Sequence, residues 1–221
     1  MPSNRKIVFA NGEYYHLFNR GVERRPVFTN RREFSRAVDL INFYHFHKPP
    51  LRYSKYLALN EDQKPIFLSN LTEIAVIIVA FCLMGNHFHF LVKQVKESGV
   101  SKFMANFMNS YTKYFNTKYQ RVGPLFQGAF KAVHIESDEQ LLHLSRYIHL
   151  NPVMGFKIKA DDLKDYEWSS YPSYTGSTDV SFVDSDIIMD FFKRPDKYQK
   201  FVLDQADYAK KLKAIEHLVI D

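Results

Sequence analysis

Only one cysteine, Cys82, occurs in the 221 residues, and it lies inside an apolar run. No internal disulfide and no cysteine-based metal cluster can form, which fits a reducing compartment. The longest apolar run, Ile74 to Met84, falls far short of the roughly 20 residues that a membrane helix requires. The N-terminal Met-Pro-Ser-Asn-Arg-Lys lacks the apolar centre of a secretion signal. No repeat or low-complexity tract interrupts the chain. The expectation is a soluble, unexported, cytoplasmic protein with no membrane partner.

What is present is apolar and basic. Hydrophobic residues make up 46% of the chain and aromatics 16%, more than a disordered chain carries and enough for a dense core. The length suits one main domain, or a compact domain with a tail. Thirty Lys and Arg against 24 Asp and Glu leave a net charge of +6. That excess favours a polyanionic partner, nucleic acid ahead of an anionic membrane surface.

The alternating aromatic stretch Tyr14 to Gly21 predicts a strand entering a turn. Asn30 can cap a helix with Phe34, Val38, Ile41 and Phe43 at near-helical spacing, ending before Pro49-Pro50. Residues 50 to 72 are polar and weakly periodic, so a surface excursion giving little to the core is expected there. Ile74 to Met84, the turn pair Gly85-Asn86 and His87 to Lys93 form a predicted hairpin. From Ser101 to Tyr119, Phe103, Phe107, Met108, Tyr111, Tyr114 and Phe115 line a long helix. Phe126 to Ile135 reads as another strand, and Ser137 with Gln140 opens a last helix that stops near Asn151-Pro152.

This order predicts an α+β fold: a ferredoxin-like antiparallel sheet with helices on one face, plus a further helix and a C-terminal extension. Residues 1–154 form the expected main domain. Residues 155–221, with Trp168 and a terminal polar helix rich in Lys and Asp, are an extension expected to pack on it.

Two features could carry chemistry. His87-Phe88-His89 lies on a strand, where residues i and i+2 share a face, so two imidazoles converge. Neutral imidazoles bind divalent metals, and oxygen donors could complete such a site. Two hydrogen-bonded strand histidines are the other reading, and both stay open. His45-Phe46-His47 repeats the tripeptide at a helix end, where i and i+2 diverge by about 200°, and is read as structural. Tyr147 and Asn151 are four apart on the last helix, so a phenol and an amide oxygen could address one point. A phenol needs a metal or base to act as a nucleophile near neutral pH; packing of Tyr147 against the sheet is the alternative. Basic residues interleave with aromatics at Arg20, Arg24, Arg25, Lys113, Arg121, Lys131 and Arg146. Such a mixture suits single-stranded or hairpin nucleic acid, or a solvated basic surface.

Tyr15 to Gly21, Met84 to His89, Gly123 to Gly128, Tyr147 to Val153 and Trp168 to Tyr171 together resemble the single-tyrosine HUH transposases, most closely the REP-associated tyrosine transposase group. The resemblance implies His87 and His89 as metal ligands, Tyr147 as nucleophile and Asn151 as a helix residue completing the coordination. It also implies Mg²⁺ or Mn²⁺ and a single-stranded or hairpin DNA substrate. The expected assembly is a monomer or homodimer. Tyr111 and Tyr114 are the next candidate nucleophiles. The rival readings are a non-catalytic hairpin-binding regulator, an RNA-binding module and a small-molecule metallohydrolase.

Overall fold

A computed structural model describes residues 7–155 and 157–205. The chain enters β1 (Tyr14–Arg20), whose burial alternates so that Tyr15, Leu17 and Asn19 face one way and Tyr14, His16 and Phe18 the other. Helix α1 (Arg31–Tyr44) starts at Asn30, whose side chain accepts the Glu33 N–H. Burial by itself would raise the Glu33 pKa. Hydrogen bonds from Lys118, Tyr119 and Thr29 instead bring it down to about 2.

The excursion contains α2 (Tyr53–Tyr56) and α3 (Gln63–Ser69). It gives more to the core than its polarity implied: Tyr53 is buried, and Tyr56, Phe67 and Leu68 pack against the same cluster. Helices of one or two turns are too short to display a readable period, so these apolar anchors escape a pattern search.

Strand β2 (Val76–Met84), the Gly85-Asn86 turn and β3 (His87–Gln94) form the expected hairpin. Helix α4 (Gly99–Lys118) buries Phe103, Phe107, Tyr111 and Phe115. Strand β4 (Lys131–Ile135) is shorter than expected. Gly128 takes φ +56°, which ends extended backbone, so Phe126 is left with a single bridge to Gly21 and packs into the core. Helix α5 (Asp138–Met154) is capped by Ser137, which accepts the Gln140 N–H, and runs on past Pro152.

The four strands pair antiparallel in the order β2-β3-β1-β4, which is the ferredoxin-like arrangement. Two cores flank the sheet. On one side Leu17, Phe88 and Phe90 meet α1 and α4 through Leu40, Phe103 and Phe107. On the other, Cys82 and Leu91 meet α5 through Leu141 and Ile148. Helices α6 (Tyr171–Thr175), α7 (Asp186–Phe192) and α8 (Pro195–Leu203) add Tyr171, Ile188 and Tyr198 to this second core. Most of the terminal polar helix expected from sequence lies outside the described residues. Among the described residues no helix is long and apolar enough to cross a membrane.

Candidate metal and tyrosine site

The register of β1 against β3 pairs Arg20 with His87 and Phe18 with His89. Cross-strand partners share a face, so both histidines and Arg20 stand on the α5 side, while Phe88 enters the opposite core. The Asn86 amide donates from Nδ2 to the Arg24 carbonyl at 3.1 Å, which turns Oδ1 toward His87 Nδ1 at 2.6 Å. His87 therefore carries its proton on Nδ1.

Asn151 is oriented in the same way by the backbone of its own helix. Its Nδ2 donates to the Tyr147 carbonyl at 2.9 Å, which aims Oδ1 at His87 Nε2 across 3.4 Å. Two acceptor atoms facing each other repel, and a cation between them reverses the sign. Donors about 2.1 Å from one ion, at tetrahedral or octahedral angles, sit about 3.0–3.4 Å apart. The donor set of imidazole nitrogens and a neutral amide oxygen thus fits a divalent ion, with phosphate oxygens to complete it. Among the described residues no three His, Cys, Asp or Glu side chains form a group that could hold a metal ion, and the Asn151 amide oxygen is the further donor that stands beside His87.

His89 lies beside this pair, its ring centroid 5.2 Å from that of His87 and edge to face with it. The Tyr147 ring stands edge to face with His89 at 5.4 Å and with His16 at 6.2 Å, and Tyr147 is 43% exposed. A phenol within reach of both solvent and two imidazoles has the access that a nucleophile requires. His16 was not singled out in the sequence. It lies on the same sheet face, with Nε2 at 2.9 Å from His89 Nδ1, and burial lowers its pKa to about 4. Its only local signal was alternation within Tyr14 to Arg20.

The basic residues divide. Arg20 flanks His87, and Lys131 pairs with Phe18 from the outer strand, so both stand on the site's face of the sheet. Arg24 and Arg25 lie on the turn after β1, where Arg25 pairs with Glu23 at 2.9 Å. Lys113 lies on α4, beyond the sheet from Tyr147. Arg121 hydrogen-bonds Asn116 and sits over Phe115, also on that far side. Arg146 is on α5 but stacks on Phe201 at 4.3 Å and bonds its carbonyl. The reserve nucleophiles are far from the imidazoles as well: Tyr111 is fully buried and donates to the Val27 carbonyl. His45-Phe46-His47 follows α1 and bonds to the start of β2, at the end of the hairpin away from His87 and His89, and His45 is buried.

Fold and cluster define the class: a ferredoxin-like α+β protein that gathers strand imidazoles, a helix phenol and a helix amide on one sheet face. Residues 51–151 match the family model of IS200-like transposases, a segment that includes His87, His89, Tyr147 and Asn151. A solved structure of a REP-associated tyrosine transposase bound to a REP hairpin shares the fold, with a TM-score of 0.50 and 14% identity over 82% of this chain and 97% of that one. No curated protein matches the chain. The chain is similar to the IS200-like and REP-associated tyrosine transposases, by sequence through its central part and by fold over most of its length.

Proposed function

We propose that this chain is a transposase-like DNA strand transferase whose residues 1–154 cut and rejoin single-stranded DNA beside a hairpin. The Tyr147 oxygen attacks a phosphodiester, the bond from phosphorus to O3′ breaks, and O3′ leaves as a hydroxyl after taking up a proton. The product is a 5′-phosphotyrosine with a free 3′-hydroxyl. Attack by another 3′-hydroxyl reverses the step and rejoins strands without an external energy source. The phenolic proton passes to water or to a neighbouring imidazole. Arg20 and Lys131 neutralise flanking phosphates and hold the strand across the sheet face.

His87, His89 and Asn151 would hold Mg²⁺ or Mn²⁺. When bound, the ion would polarise a non-bridging phosphate oxygen and stabilise charge in the transition state. The single observation that carries this reading is the pair of acceptors, His87 Nε2 and Asn151 Oδ1, 3.4 Å apart one helical turn from an exposed Tyr147. The hairpin is carried over from the similar solved protein.

The test is a labelled single-stranded oligonucleotide with a hairpin, incubated with Mn²⁺ and resolved on a denaturing protein gel. The wild type is expected to form a covalent adduct, and Tyr147→Phe to bind the DNA without one. An adduct that persists in Tyr147→Phe removes Tyr147 from its role. Hairpin binding without any adduct in the wild type favours a non-catalytic regulator, and equal action on RNA hairpins favours the RNA-binding reading.

A further inference from the structure

A cleft of about 740 Å³ opens between α1, α2 and α4, on the side of the sheet opposite Tyr147. Its lining carries Arg32, Arg36, Arg52, Lys113 and Lys118, and no Asp or Glu. The nearby acids cancel only part of this charge. Glu33 is taken by Lys118 at 2.6 Å, and Asp39 accepts the Tyr53 hydroxyl at 3.2 Å while also facing Arg36. At least Arg32, Arg52 and Lys113 are left with no ion pair among the described residues.

Two further observations point to a ligand. The Arg36 guanidinium is held over the rings of Tyr53 at 5.0 Å and Tyr114 at 4.7 Å. These contacts cover its faces and direct hydrogen bonding to its N–H edge, the edge that matches a phosphate. The Tyr114 hydroxyl, in the same lining, is buried with no hydrogen-bond partner among the described residues. A buried hydroxyl in that state calls for an acceptor. Arg32 and Arg36 are one helical turn apart, about 6 Å along α1, so the cations form a row and not a single point. A row suits successive phosphates of a strand. The volume lies within the roughly 300–1,000 Å³ of ligand sites, room for a nucleotide and its phosphates.

We infer that the α1–α2–α4 cleft is a second nucleic-acid site, which takes the backbone of a single-stranded DNA flank away from the reacting phosphodiester. The inference depends on the proposed function only for the identity of the polyanion. Arg36 already occupies the ring faces of Tyr53 and Tyr114 that it stacks on, so the grip is on phosphates, and sequence preference there is weak.

The experiment uses the full chain and two fluorescent oligonucleotides, a minimal hairpin and the same hairpin with a long single-stranded flank, followed by anisotropy across a salt series. For Arg36→Ala with Arg52→Ala, binding of the flanked substrate is expected to weaken about tenfold, with a salt slope lower by about one to two. The minimal hairpin should bind as in the wild type. Unchanged affinity and slope for the flanked substrate would overturn the inference. Lys113→Glu, on an exposed position, gives the same readout if the double variant melts early. Inorganic phosphate and a dinucleotide are titrated in parallel. Thermal stabilisation by phosphate that the variants remove, with flank binding unaffected, would make this a small-anion site and reject DNA. Loss of flank binding in a protein that never forms the adduct would uphold the cleft and reject strand transfer, so the two proposals fail separately.

Discussion

His16 Nε2 lies 2.9 Å from His89 Nδ1, so a third imidazole supports the strand pair from the neighbouring strand. One ring must donate and the other accept. If His89 donates from Nδ1, its Nε2 carries the lone pair that a metal needs, and His16 sets that tautomer. His16→Ala is expected to weaken Mn²⁺ binding by about 10- to 100-fold, with His16→Gln recovering part of the loss. Calorimetric titration of Mn²⁺ reads this without DNA. Equal affinity in His16→Ala would mean that His16 only fills space.

A second buried imidazole has a different task. His149 accepts or donates at Nδ1 with the Tyr198 hydroxyl at 2.6 Å and at Nε2 with Ser170 Oγ at 2.7 Å, and it is fully enclosed. A histidine beside a serine looks like a catalytic pair, but with no exposure no substrate can reach it. It ties α5, two residues from both Tyr147 and Asn151, to α8 and to the segment before α6. His149→Ala is expected to cost about 2–4 kcal/mol of stability through lost bonds and a cavity, measured by urea unfolding.

The same residue predicts acid sensitivity. Burial lowers the His149 pKa to about 3 from an ordinary 6.5. Between those values the unfolded chain binds a proton that the folded chain does not, so stability falls as pH falls from 6.5 toward 3. At pH 5 the loss from this one group is about 2 kcal/mol. Unfolding free energies measured between pH 7 and 5 should show this slope, and His149→Ala should reduce it, leaving the part that buried His16 contributes in the same direction. Equal slopes in both proteins would assign the acid loss to other groups.

Gly21 closes the turn that carries Arg20, Arg24 and Arg25. Its N–H donates to the Asn86 carbonyl at 2.8 Å, and an added Cβ would collide with the Arg25 carbonyl and Val27. Gly21→Ala is expected to destabilise by about 1–3 kcal/mol and to weaken DNA binding, because the turn must shift. A thermal melt and an anisotropy titration check the two effects. Loss of stability with unchanged DNA affinity would show that the arginines of this turn do not hold DNA.

Tyr147→Phe should be nearly neutral for stability, within about 0.5 kcal/mol, because the ring is 43% exposed. Its melting temperature, compared with that of the wild type, separates a lost nucleophile from a damaged fold.

Much of the fold was legible because each element announces itself over a few adjacent residues. The β-branched run before Gly85-Asn86 could only be a strand feeding a tight turn. Asn30 and Ser137 marked helix starts that their side-chain bonds bear out. Short α2 and α3 were illegible for the opposite reason, since seven residues or fewer show no period. The late start of the last strand came from one backbone angle at Gly128, which no pattern of side chains encodes.

The sequence by itself determined that His87 and His89 share a sheet face and that Tyr147 and Asn151 share a helix face, since both follow from local repeat geometry. Only the tertiary structure decided that these two faces meet. The bond from His16 to His89 spans 73 positions and the approach of His87 to Asn151 spans 64. It also sent Arg146 to the C-terminal helices and Lys113 to a cleft behind the sheet. Such pairings are set by strand register and core packing over the whole chain, and the energy that selects them is not present in any local stretch.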